Sequence, residues 1–284
     1  METVVGLNYF EEAELVPRGR ELAAGYRAAA PFPHVVLDDF LGEEVARGAA
    51  AEFAALPTEG WDRYEDAGNT LKLATSDEAK MGPRLRHLVA QFNGHGFVAF
   101  LEALTGIEGL LPDPHLAGGG LHQLNPGGFL RVHADFNRHQ VLKLDRRINA
   151  LLYLNPDWEE EWGGAFELWT PDMQERVVKL PPALNRLVIF NTTSDSFHGN
   201  PDPVSCPPGN ARRSLAFYYY SNGRPEEELA PAHSTLYQTP GQAPGAVGDA
   251  APPPGGPGRE SRARELARDL LPPLVARKLR ARRG

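Results

Sequence analysis

The chain has 284 residues, 42% hydrophobic and 23% charged, enough apolar material for one large core without disulfide support. Its one cysteine, Cys206, excludes an intrachain disulfide and points to a reducing, cytoplasmic setting. The formal charge of −8 speaks against a chain-wide nucleic-acid binder, and neither a signal peptide nor a bilayer-spanning apolar run is expected.

Residues 1–30 are expected to be a loosely attached lead-in, with short helices near 11–14 and 17–27. PFPHVVLDDFL (31–41) enters through two prolines and reads as a strand. Gly42-Glu43-Glu44 opens an Ala-rich stretch to residue 56, a helix with acidic residues suitably near its start. Residues 57–80 read as polar turns. Pro83, at a first helical position, precedes a helical pattern over 84–104 that carries Leu85, Leu88, Val89, Phe92, Phe97, Phe100, Leu101 and Leu104; Gly94 and Gly96 are where it divides. Residues 42–104 thus form a helical buttress.

After Pro114 the period changes from helical to strand-like. LHQLN (121–125), FLRVHADF (129–136), NALLYLN (149–155), AFELWT (165–170), RVVKL (176–180), RLVIFN (186–191) and RRSLAFYYYS (212–221) are short β-rich runs separated by turn-forming residues. They predict an antiparallel sandwich or barrel over 118–222 with helices on one outer face, so that 31–238 is one domain. Residues 239–258 (TPGQAPGAVGDAAPPPGGPG) read as a flexible linker. The tail 259–284 has nine basic against three acidic residues, a net of +6 that leaves −14 on the rest. It reads as a solvated extension or as a contact for an anionic surface.

The chemistry centres on His133-Ala134-Asp135 within a predicted strand, where residues two apart share a face. Taken alone, such a pair is as well explained by a surface histidine and a turn aspartate. Phe197-His198-Gly199 brings a second histidine to the start of a strand further on. Two histidines and one carboxylate suit non-haem iron(II), leaving adjacent coordination positions open. Arg212 follows in a strand, where a guanidinium clamps a carboxylate through two parallel bonds.

NPGGFLRVHADF, INALLYLNPDWEEEWGGAFELW, NRLVIFN, HGNPDP and ARRSLAFYYYS stand in an order that resembles the prolyl 4-hydroxylase-like branch of the Fe(II)/2-oxoglutarate-dependent dioxygenases. PFPHVVLDDFL and its helix resemble the branch's N-terminal lead-in. The resemblance implies a mainly β fold with flanking helices, a double-stranded β-helix (jelly roll, cupin-like). It implies hydroxylation of an unactivated C–H bond with iron(II), O2 and 2-oxoglutarate, the last becoming succinate and CO2, and ascorbate (vitamin C) as a reductant. Aspartate at 135, where halogenating relatives have a small residue, argues for hydroxylation.

Carried over, the resemblance makes His133, Asp135 and His198 the iron ligands. Arg212 or Arg213 matches the arginine that binds the distal carboxylate of 2-oxoglutarate; the small Ser214 after it and strand alternation choose Arg212. Tyr153 matches a tyrosine on the same carboxylate, or is a core tyrosine. Arg131 shares the inward parity and meets substrate or pairs with an acid. Asn137 lines the entrance or sits in a surface loop, Trp158 flanks the mouth or packs, and His122 lies on the first barrel strand. The substrate is a small biosynthetic metabolite, or alternatively a prolyl or other side chain of a polypeptide. A silent jelly-roll binding module is the reading from another class. The sequence gives no oligomeric state and no specific nucleic-acid partner.

Overall fold

The computed structural model describes residues 8–65 and 68–242; the rest of the expected linker and the basic tail lie outside the described residues. Four α-helices lie in the first part of the chain, interleaved with its first three strands: α1 (Glu12–Ala28), α2 (Glu43–Ala55), α3 (Pro83–Phe92) and α4 (His95–Thr105). The division of the 84–104 pattern falls at Asn93-Gly94, as glycine there allows. Gly106, left-handed at φ +75°, ends α4 by donating its N–H to Glu102 O at 2.9 Å.

Twelve strands join in a mostly antiparallel sheet curled into a jelly-roll half-barrel. They are β1 (His34–Leu37), β2 (Asp62–Tyr64), β3 (Asn69–Thr75), β4 (Leu111–Pro112), β5 (Gly120–Ala134), β6 (Asp145–Tyr153), β7 (Phe166–Trp169), β8 (Arg176–Leu180), β9 (Leu187–Asn191), β10 (His198–Asn200), β11 (Arg212–Ser221) and β12 (Leu236–Tyr237). The main path runs β1-β9-β6-β11-β5-β10-β7-β8. The helices cover one face of it. Ile148, Ala150 and Leu152 of β6, Leu187 and Ile189 of β9, and Leu215, Phe217 and Tyr219 of β11 share one core with all four helices. Phe92 stacks on Phe217 with ring centroids 4.4 Å apart and planes 2° apart. The other residues of β6 and β11 line the barrel. Both faces are buried, which is why these strands read as near-continuous apolar runs.

Three differences from the sequence reading stand out. The expected lead-in is not loosely attached. Residues 12–28 are one helix in which Leu15, Ala23 and Tyr26 are buried, and Tyr26 Oη donates to Asn191 Oδ1 at 2.6 Å. The runs 121–125 and 129–136 are one strand, β5. Its NPGG segment is a bend rather than a break, with Gly127 at φ +88°. Gly127 N donates to Val204 O at 2.7 Å and Val204 N to Gly128 O at 2.9 Å, which holds the bend. Residues 62–75, read as turns, form the β2–β3 hairpin, and β3 extends the sheet along β5.

Candidate metal and oxo-acid site

His133 lies at the end of β5 and Asp135 just beyond it, while His198 opens β10 as the cross-strand partner of His133. One ligand atom from each of the three lies within 4.8 Å of the others, and all are buried or nearly so. His133 Nε2 is 3.6 Å from Asp135 Oδ1, and His198 Nε2 is 3.4 Å from Asp135 Oδ2.

The histidine tautomers follow from their partners. His133 Nδ1 faces Arg131 O at 2.8 Å and His198 Nδ1 faces Ser196 O at 2.9 Å. A carbonyl only accepts, so each Nδ1 carries the proton and each Nε2 keeps its lone pair for a metal. Burial, then the neighbouring His198, lowers the pKa of His133 and favours the neutral form a ligand needs.

Asp135 is oriented from behind. Arg146 Nη2 donates to its Oδ2 at 2.9 Å and Asn149 Nδ2 at 2.7 Å, and Arg146 also donates to Asn149 Oδ1 from Nε at 2.9 Å. Arg146 is fully buried, its guanidinium 4.4 Å from the Phe136 ring centroid and 3.4 Å from that of Tyr218. Burial alone raises the pKa of the Asp135 carboxyl, but the charge of Arg146 above all outweighs it and holds the group ionised, well below its ordinary range. Two imidazole lone pairs and an oriented carboxylate fit a divalent iron of the facial-triad type.

Arg212 is buried where β11 faces the barrel. Its Nε donates to Gly164 O at 2.7 Å and its Nη2 to Tyr153 Oη at 3.3 Å, with the Tyr153 ring centroid 5.0 Å from the guanidinium carbon. Among the described residues no acidic side chain pairs with it, and burial lowers its pKa. A buried cation without an acid is costly unless an anion arrives. Tyr153 is itself buried, and burial raises its pKa despite the nearby Arg212. Ser214, buried, stands opposite Tyr153 on β6 and opposite His122 on β5. Arg213 faces the other way, with its Nε on Gln123 Oε1 at 3.0 Å.

The remaining sequence candidates sit elsewhere. Arg131 donates from Nη2 to Thr239 Oγ1 at 3.1 Å. Asn137 is buried, with its Nδ2 on Pro231 O and its Oδ1 accepting from His233 N, so its amide pins the chain after β11. Trp158 packs edge-on against Trp162 beside Leu124 and Val204.

Sequence reasoning missed Arg146 and Asn149, whose only signal was a charged pair and an amide in an otherwise apolar strand. It also missed the segment over the metal site. Leu236 and Tyr237 pair with Ala134 and His133, Tyr237 Oη accepts from Asn69 Nδ2 at 2.7 Å, and its ring lies 5.7 Å from that of His133.

Residues 119–220 match the 2OG-Fe(II) oxygenase superfamily. Prolyl 3-hydroxylase OGFOD1 of Mus musculus is 28% identical over 198 residues, 67% of this chain and 33% of that protein, so the chain spans about a third of that relative's length. A Pseudomonas putida prolyl-4-hydroxylase superposes with a TM-score of 0.53 at 19% identity, covering 72% of this chain and all of the other. A Trichoplax adhaerens prolyl hydroxylase, solved with a hypoxia inducible factor peptide fragment, gives 0.54 at 16% identity, covering 74% of this chain and 92% of the other. At such identities the two structures speak for the jelly-roll fold. Through residues 119–220 the chain is thus similar to the 2OG-Fe(II) oxygenase superfamily, and prolyl hydroxylases stand among its relatives and its jelly-roll neighbours.

Proposed function

We propose that the protein is an iron(II)- and 2-oxoglutarate-dependent hydroxylase. His133, Asp135 and His198 hold the metal; Arg212 and Tyr153, with Ser214 alongside, bind the distal carboxylate of 2-oxoglutarate. The observation that carries this reading is the pairing, in one barrel, of a tautomer-fixed His-Asp-His set with a buried arginine that has no acidic partner among the described residues.

Iron(II) with the oxo acid and O2 supplies the oxidation: one oxygen atom enters the substrate C–H bond, and the other goes to succinate as CO2 is lost. The chain's own residues bind, orient and exclude water. Backbone carbonyls of Arg131 and Ser196 keep both imidazoles turned inward. Arg146 and Asn149 engage Asp135 Oδ2, the oxygen nearer His198, which leaves Oδ1 turned to His133. Arg212 supplies the fixed positive end for a dicarboxylate, and a guanidinium gives two-point geometry that lysine lacks.

For the substrate, the likeness to a protein named as a prolyl 3-hydroxylase supports a prolyl side chain within a polypeptide. The test has two parts. Anaerobic addition of Fe(II) and 2-oxoglutarate should raise the weak visible band of the chelate, and His133→Ala, Asp135→Ala or His198→Ala should each abolish it. A His198→Ala variant that keeps metal and band would overturn the ligand assignment. Succinate release should then be scored against proline-containing peptides and small metabolites. Release with metabolites alone would overturn the polypeptide reading and leave the reaction class standing.

A further inference from the structure

Asn200 closes β10, two residues after His198, and is 2% exposed. Its side-chain Nδ2 is buried and, among the described residues, has no hydrogen-bond acceptor. A buried donor left unmet destabilises the fold, and an apolar side chain of the same shape would remove that penalty. A polar group kept there fits a partner that arrives with a ligand.

Its position says which ligand. His198 pairs with His133 and, after a register shift, Asn200 pairs with Leu130, so Asn200 lies on the same short strand as the metal ligand and beside the same strand β5. Beyond Asn200 the chain continues to Val204, which packs beside Arg212. A methyl group on Gly164 would meet Val204 Cγ2 at 2.9 Å and Arg212 Cδ at 3.0 Å, and Gly164 O takes the Arg212 Nε. Asn200 thus stands on the stretch of chain that leads from the metal ligands to the arginine. A 2-oxo dicarboxylate bound between those two points presents only acceptor oxygens, and an amide N–H complements them.

We propose that Asn200 is a third anchor for the oxo acid, its Nδ2 donating to one of the ligand's oxygens. This rests on the reading of the site given above. The inference concerns co-substrate affinity, so its readout is equilibrium binding rather than turnover. Calorimetric titration of 2-oxoglutarate into Mn(II)-loaded protein should be compared for the wild type, Asn200→Val and Asn200→Asp.

Asn200→Val should weaken 2-oxoglutarate about tenfold, or about 1.4 kcal/mol. It should leave Mn(II) affinity unchanged and metal-free Tm equal or higher, because the orphan donor is gone. Asn200→Asp should weaken binding further by placing like charge against the carboxylates. Failure of the wild type to bind 2-oxoglutarate would overturn the underlying reading. A wild type that binds, together with an Asn200→Val variant of equal affinity, would overturn the anchor alone. Loss of metal-free stability in Asn200→Val would make the amide a structural group and also overturn it.

Discussion

Arg212 and Arg213 are adjacent in the chain, yet one is buried beside Tyr153 and the other reaches Gln123 on the opposite face of β11. Arg212→Ala should raise the 2-oxoglutarate requirement at least about tenfold, since a desolvated two-point ion pair is worth a few kcal/mol. Arg213→Ala should do far less; reversed effects in a binding titration would put the strand alternation off by one. Arg146 carries a second prediction. Arg146→Met keeps apolar volume between Phe136 and Tyr218 but leaves Asp135 uncompensated, which should cost the metal-free protein about 3–5 kcal/mol, read from chemical denaturation. The pH dependence has a definite sign. A carboxyl depressed in the fold adds stability that is complete above the ordinary aspartate value near about 4 and is lost as pH falls through the depressed value. Without Arg146, that acid-side loss should shrink. The triad is legible in sequence because iron chemistry dictates residue types and spacing. Arg146 and Asn149 are not, because their role depends on a partner met only across β6.

At the level of elements, β12 and the segment around it act as a strap. Pro231 and His233 are held by Asn137, Ser194 Oγ lies 2.8 Å from His233 Nε2, Gln238 N donates to Val132 O at 2.8 Å, and Gly241 N donates to Met173 O at 2.9 Å. These bonds span both sides of Tyr237, whose ring lies against His133. Truncation after Gln242 should therefore leave thermal stability and metal content unchanged. Truncation after Leu229 should lower both, as measured by scanning calorimetry and bound-metal analysis; equal behaviour of the two would deny the strap its role. The strap was illegible because two paired residues in a polar, Pro-flanked stretch carry no periodicity. β3 was missed for a related reason: NTLKLAT mixes polar residues into a segment that becomes a strand only through its pairing with β5. The helices and the longer strands were legible, because their apolar periods of 3.6 and 2 extend over enough residues to be counted.

Across the whole molecule, β11 couples the helical layer to the site. Leu215, Phe217 and Tyr219 face the helices, while Arg212, Ser214 and Tyr218 face the barrel, so one strand cannot shift for one layer without moving the other. The strongest link is Phe92 on α3, which stacks on Phe217 and takes the Tyr219 hydroxyl on its carbonyl at 2.9 Å. Phe92→Ala opens a cavity where no side-chain area is exposed, and such changes cost about 3–5 kcal/mol. It touches none of the proposed ligands, so below its melting range the variant should bind one equivalent of Fe(II) with wild-type affinity. On heating, loss of the Fe(II)–oxo acid band and loss of helical circular dichroism should fall together, at a lower temperature than in the wild type, as one cooperative unit requires. A band that disappears well before the helices melt would show that barrel and helical layer unfold separately, and that the shared strand β11 does not bind them into one unit.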